Sequence, residues 1–317
     1  MATRWSWVCT TAAMAAVAAV GTGACSSSGS NNVSPTQACS DLATALCNRE
    51  QACAPFDVQL VYGSVSTCIT RAQINCPDAI SATGSGTTAA DIESCAQAVT
   101  STSCSDLESN NAPSACIFAG TLTAGSVCGS DEQCVGPNGY CKVAAGATCG
   151  ACAAKAAAGG TCAGNDDCQA GLVCPSGGGS CVAPGAAGAT CSSAHPCTSP
   201  LVCVSTTCTQ PAEAGQACQE SADGQNCDVT QGVVCNTSTM VCSTIGTAAA
   251  GAPCGLINGG YTLCSGGATC NLSGTMGTCG SVAADGAACG GTSGASCLPP
   301  AVCVNDTCTL PNASSCH

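Results

Sequence analysis

Gly159-Gly160-Thr161-Cys162-Ala163-Gly164-Asn165-Asp166-Asp167-Cys168-Gln169-Ala170-Gly171-Leu172-Val173-Cys174-Pro175-Ser176-Gly177-Gly178-Gly179-Ser180-Cys181 carries four cysteines, and Leu172 and Val173 are its only sizeable apolar side chains. So little apolar surface cannot hold a fold, so sulfur must. The stretch repeats. Gly-x-x-Cys opens six units, at Cys128, Cys162, Cys191, Cys218, Cys254 and Cys289. After Cys162, Cys168, Cys174 and Cys181 comes the unit Cys191, Cys197, Cys203, Cys208. Later units keep the order and vary the loops: Cys218, Cys227, Cys235, Cys242, then Cys254, Cys264, Cys270, Cys279, then Cys289, Cys297, Cys303, Cys308. A turn residue and a short, often apolar pair precede the third cysteine, as in Pro200-Leu201-Val202 and Pro300-Ala301-Val302. That pattern predicts a turn feeding a two- or three-residue strand.

The first unit departs from the rule. It has Cys128, Cys134 and Cys141, then Cys149 and Cys152, which are read as a module shrunk to two cysteines or as an extra bridge. Cys316 is read as a terminal clasp. A unit of this size lies below the roughly 40 residues at which chains usually fold without staples. A bridge closing about 15 residues contributes ~3 kcal/mol in the chain-entropy account. The expected architecture is an extended, partly rigid string of beads, with linkers such as Ala183-Pro184-Gly185-Ala186-Ala187-Gly188 and Thr247-Ala248-Ala249-Ala250-Gly251.

The frame Cys-x5-Cys-x5-Cys-x4–6-Cys after Gly-x-x-Cys resembles the Dickkopf N-terminal cysteine-rich module. It is most similar to the tandem versions in predicted lipoproteins of myxobacterial-type bacteria. The resemblance covers about 124–317 and rests on cysteines and glycines alone. It implies small disulfide modules; the receptor-signalling role of the animal proteins does not carry over.

Residues 35–118 read differently. Eight cysteines (Cys39, Cys47, Cys53, Cys68, Cys76, Cys95, Cys104, Cys116) are widely and irregularly spaced. Helical periods run through Cys39, Leu42, Leu46 and Cys47 until Pro55, through Val65, Cys68, Ile69 and Ala72, and through Ile92, Cys95, Ala96 and Val99 behind the cap pair Thr88 and Asp91. The cysteines lie on the apolar stripes, which predicts helices stapled core to core. The fold class is therefore a small all-α, disulfide-stapled domain followed by disulfide-rich modules of short β and irregular structure. Sequence leaves the connectivity open.

At the N-terminus, residues 1–24 have one cation, Arg4, then an apolar stretch and small residues before Cys25. This is the anatomy of a signal peptide. Residues 25–34 form a polar tether. Gly23-Ala24-Cys25 resembles a bacterial lipobox, with Thr22 where that family usually has an aliphatic residue. The resemblance implies that Cys25 carries lipid and that the membrane is a partner through it. The chain is then exported, held at the outer membrane or cell surface; simple secretion is the alternative. Of thirty-six cysteines, removing Cys9 with the leader and Cys25 to lipid leaves 34, enough for 17 bridges. Such a cysteine load belongs to an oxidising compartment.

Composition excludes whole classes of function. From Cys25 onward four basic residues (Arg49, Arg71, Lys142, Lys155) face eighteen acidic ones, a net of −14. Nucleic acid needs cations to replace phosphate counterions, so it is no partner. Five aromatic rings leave little for stacking on sugars. Cys149-Gly150-Ala151-Cys152 has redox and zinc spacing but sits in Ala/Gly-rich chain, so it reads as structural. His195, the only internal histidine, reads as a loop surface residue. Asp131-Glu132 and Asp166-Asp167 lack the spaced oxygens of a calcium site and read as solvated loop charge. No catalytic residue, metal or cofactor is expected. The reading is a non-enzymatic structural or interaction module meeting an extracellular or periplasmic protein. Its alternative is a ligand- or inhibitor-type protein displaying loops between bridged cysteines.

Overall fold

The computed structural model describes residues 33–109, 111–221, 224–257, 260–290 and 295–316. The leader, Cys9, Cys25 and the tether up to Asn32 lie outside the described residues.

Six helices form the N-terminal region: α1 (Pro35–Cys53), α2 (Pro55–Tyr62), α3 (Val65–Ala72), α4 (Cys76–Ser81), α5 (Ala89–Val99) and α6 (Cys104–Glu108). Ser34 caps α1, its hydroxyl accepting the Gln37 N–H at 3.2 Å, and Pro35 occupies the first turn, where its missing N–H costs nothing. Thr88 and Asp91 close a reciprocal capping box on α5. Two apolar clusters fill the region. Ala38, Ile92, Cys95, Val99 and Phe118 join α1 to α5, and Cys47, Val58, Tyr62 and Cys68 join α1 to α2 and α3. Four bridges (Cys39–Cys76, Cys47–Cys68, Cys53–Cys104, Cys95–Cys116) staple these helices internally. Pro55 ends the α1 period, as expected, but it also begins α2. That helix is apolar on most sides, so it shows no stripe. α4 and α6 are too short for a period to be read.

The remaining cysteines pair within the repeats. In every unit the first cysteine bonds the third and the second bonds the fourth. The pairs are Cys128–Cys141 and Cys134–Cys152, Cys162–Cys174 and Cys168–Cys181, Cys191–Cys203 and Cys197–Cys208, Cys218–Cys235 and Cys227–Cys242, Cys254–Cys270 and Cys264–Cys279, and Cys289–Cys303 and Cys297–Cys308. The two loops overlap, so neither half of a module can peel away alone. The third and fourth cysteines face each other across a hairpin without bonding, as at Cys203 and Cys208, Cys235 and Cys242, and Cys303 and Cys308. The strand expected before the third cysteine is present at Val202–Val204, Val233–Asn236 and Val302–Val304.

Glycine opens each module for a conformational reason. The Gly-x-x-Cys glycines have φ between +80° and +87°, and a Cβ on any of them would meet nothing within 4 Å. Space is free; the left-handed backbone is what other residues resist. At Gly188 that turn aims its N–H at the Cys208 carbonyl (2.8 Å), while the Cys208 N–H returns to the Ala189 carbonyl (2.9 Å). The same exchange ties the opening glycine to the fourth cysteine in all six modules.

The modules also start earlier than the cysteines suggest. Leu122, Ala156, Gly185, Ala212, Ala248 and Ala283 each pair in parallel with the second cysteine of their module. Each stands six residues before the first cysteine. The segments expected as linkers therefore belong to the module ladders, because their backbone N–H and C=O groups need partners.

Two further expectations are corrected. Cys149 does not bond Cys152. Cys152 is the fourth cysteine of the first module, and Cys149 bonds Cys316 across 167 residues. Cys152 lies inside the strand Gly150–Ala154, with Cys149 three positions before it, and an odd separation along extended chain turns side chains to opposite faces. Nor is the chain an extended string. Arg71 on α3 donates to both carboxylate oxygens of Asp285 (2.6 and 2.9 Å) and to the carbonyls of Leu298 (2.7 Å) and Pro299 (2.8 Å). Gly266 and Gly267 donate to Gln59 and Leu60 of α2, Gln231 donates to Cys53, Ser199 bonds Glu108, and Ser314 bonds Asp78. From the fourth module to the sixth the contacts follow helix order, from the end of α1 through α2 to α3, while the third module reaches α6, and the clasp closes the circuit. The physical reason is that backbone polar groups and one guanidinium on the helical side find partners on the modules.

Two substitutions test this account. Gly188→Ala should lower stability by about 1–2 kcal/mol, the cost of placing a Cβ in the left-handed region. Gly164→Ala is the control, since Gly164 is extended (φ −154°) and equally unobstructed, and should be near neutral. Arg71→Ala removes the fork on partly exposed Asp285 and leaves two part-buried carbonyls without their donor, and should cost about 1–2 kcal/mol. Denaturant unfolding with disulfides intact measures both; an unmoved midpoint in Arg71→Ala would mean the circuit is not held there.

Candidate functional site

Besides the Arg71–Asp285 fork, two places gather charged side chains. The first is the joint between modules one and two. Tyr140, at 6% exposure, donates its phenolic O–H to Asp167, itself 8% exposed. Asp167 also accepts the Ala163 N–H at 2.7 Å and the Lys142 ammonium at 2.9 Å. Burial alone would raise this carboxyl, but hydrogen bonds from Tyr140, Ala163 and Lys142, with the Lys142 charge, outweigh it and hold it at about 2. Burial, and next the Asp167 carboxylate, push the Tyr140 phenol upward. Lys142 is mostly exposed, so its ion pair adds little; the phenol and the backbone N–H do most of the holding.

Asp131 takes the opposite environment. Its Oδ1 accepts the Cys141 N–H at 2.8 Å, but burial, with Glu132 adding repulsion, pushes its pKa up to about 7. Burial raises Glu132 as well. The module-two counterpart is Asn165, whose Oδ1 accepts the Cys174 N–H at the same 2.8 Å. The residue before the second cysteine also repeats its task. Gln133 accepts the Gly129 N–H at 2.7 Å, as Asp167 accepts that of Ala163. Asp131 and Asp167 are therefore internal caps, which corrects the expectation of solvated loop charge. Each replaces a backbone partner that a module with so few residues cannot otherwise supply.

The second place is a groove between α1 and α5 with a volume of about 410 Å³. Asp41, Thr44, Ala45, Asn48, Arg49 and Ala52 recur at helical spacing along α1, and Glu93, Ala96, Gln97 and Thr100 along α5. The expected helical stripes turn their apolar sides inward and leave these two polar stripes facing each other. Their pairing was not legible, because sequence does not say which helices are neighbours.

The other named residues stay apart. His195 is exposed in a tight loop where its backbone exchanges hydrogen bonds with Ser192. Cys149 and Cys152 belong to different bridges. In at least five modules three of the four sulfurs lie within 4.8 Å of one another, which has the look of metal-ligand clusters. All are in disulfides, and a metal takes thiolate, so these clusters are the module cores. Cys25 lies outside the described residues. No helix among the described residues is long and apolar enough to cross a membrane.

No protein-family model, no curated protein and no solved structure matches the chain.

The two carboxylates predict opposite pH responses. Asp167, lowered from 3.8 to about 2, contributes stability that is present above pH 3.8 and is lost as pH falls toward 2. Asp131, raised from 3.8 to about 7, favours the fold most below pH 3.8, and that contribution is lost as pH rises through 7. Asp131→Asn should keep the hydrogen bond, as Asn165 does, and remove the charge. The variant should gain on the order of 2 kcal/mol at pH 8 and nothing at pH 3. Unfolding midpoints across that range check it.

Proposed function

We propose that the chain is a non-enzymatic lipoprotein of the cell envelope, anchored through Cys25, that acts as a structural or interaction module. The observation that carries the reading is the closed sulfur frame: seventeen bridges use every cysteine among the described residues. Disulfides in this number belong to an exported protein. The leader and the small residues before Cys25 support the anchor, and the likeness to Dickkopf-type modules in envelope lipoproteins agrees with it. The interaction reading is supported by one sheet. Of the nine large apolar side chains that are exposed among the described residues, Leu256, Tyr261, Leu272 and Met276 stand on the five-stranded sheet of the fifth module. Exposed apolar surface grouped in this way is a common mark of protein contact.

Fractionation and intact mass test the anchor together. The wild-type chain should sediment with membranes, with the mass of a fully oxidised chain that begins at a diacylglyceryl-modified Cys25. Cys25→Ala should be released into the soluble fraction. A Cys25→Ala protein that stays with the membranes overturns the lipid reading.

A further inference from the structure

Among the described residues, the five-stranded sheet of the fifth module ends on an open edge. The strand Cys270–Ser273 lies last in the sheet, beside Met276–Cys279, and no strand, bridge or backbone hydrogen bond of the described residues lies on its outer side. The two strands are joined by Gly274-Thr275, with Gly274 at φ +77°. In such a two-residue hairpin the flanking pair, Ser273 and Met276, exchanges its hydrogen bonds internally. Alternation then turns the N–H and C=O groups of Leu272 and Cys270 outward. Open edges are usually blunted by a charge, a proline or a cover. Cys270-Asn271-Leu272-Ser273 has neither charge nor proline, and Asn271, Leu272 and Ser273 are exposed.

The charge distribution points to what fits there. From Cys25 onward the chain has a net charge of −14, yet between Asp228 and Asp285 it has no Asp, Glu, Lys, Arg or His. That charge-free window carries six of the nine large apolar side chains exposed among the described residues: Val229, Met240, Leu256, Tyr261, Leu272 and Met276. A basic partner would find no counter-charge in it. Two copies of so acidic a chain repel over most of their surface, but a contact made within this window sets no carboxylate against another. A two-fold contact also pairs a surface with itself, so an open edge meets an identical edge running antiparallel.

We propose that a second copy of the chain docks on this edge, the two Cys270–Ser273 strands pairing antiparallel about a two-fold axis at Asn271. Leu272 of each copy then stands opposite Cys270 of the other, and their outward N–H and C=O groups exchange hydrogen bonds in both directions. The two Asn271 side chains face each other across the axis, and the two sheets become continuous. The inference rests on the interaction reading of the fifth module and names its partner; it does not depend on the Cys25 anchor.

Sedimentation equilibrium of the full exported chain, in density-matched non-ionic detergent, tests this. A reversible monomer–dimer equilibrium is expected, and added salt should strengthen it, because screening relieves the repulsion between two acidic chains. Asn271→Asp sets two carboxylates face to face, and Leu272→Glu charges the edge. Each should weaken the dimer at least tenfold, ~1.4 kcal/mol. Both side chains are exposed, so bridges and unfolding midpoints should match the parent. Val135→Glu, at an exposed apolar residue of the first module, is the control and should dimerise as the parent does. The proposal is overturned if the chain stays monomeric up to about 1 mM, or if both edge variants dimerise undiminished, which places self-contact elsewhere. It is equally overturned if salt dissolves the dimer, the mark of an ionic contact. Membrane release of Cys25→Ala is measured separately, so failure of the anchor and failure of the dimer are told apart.

Discussion

The crossed pair of disulfides, first to third and second to fourth, is the constraint on which the repeats depend. The bridges within modules join residues 11 to 18 apart, each contributing ~3 kcal/mol by restricting the unfolded chain. With sulfur at the centre, little else has to be large. The module cores are mostly cysteine with an occasional Val233, Ala301 or Leu122 nearby. Loops are then free to vary in length and composition, which is why the units differ everywhere except at cysteine and the opening glycine.

A frame built this way is short of backbone partners, and much of the remaining structure supplies them. The glycine turn matches the fourth cysteine's amide and carbonyl, and the residue six before the first cysteine matches the second. Asp131 and Asn165 cap the third cysteine of their modules. The same need operates between units. The helical region is tied to modules by carbonyls and amides at Cys53, Gln59 and Leu60 and by the Arg71 fork, with Leu298 as an apolar contact. Main-chain contacts of this kind tolerate sequence change, which suits a chain made largely of Ala, Gly, Ser and Thr.

Periodicity and spacing reveal local order well here, and neighbourhood poorly. Pro35, Pro55 and the Thr88–Asp91 pair mark helix ends because each acts on the backbone beside it. The Gly-x-x-Cys frame is visible because cysteine is rare and glycine is demanded by a left-handed turn. Cys149 and Cys316 could not be matched from sequence, since 167 residues separate them and nothing local records the approach. The same holds for Arg71 with Asp285, and for the facing of α1 and α5 that creates the groove. Asp167 reads as a surface charge until Tyr140, from the preceding module, is seen to cover it.

The Cys149–Cys316 bridge changes how the molecule answers force and cutting. A chain without long-range bridges frays from its ends, but here Cys316 is fastened back to the first module. A protease that cuts one loop between modules frees no fragment, since both new ends stay on the same covalent circuit. Pull applied to the helical region passes into a closed loop between Cys149 and Cys316, so the modules inside that loop cannot unravel one after another.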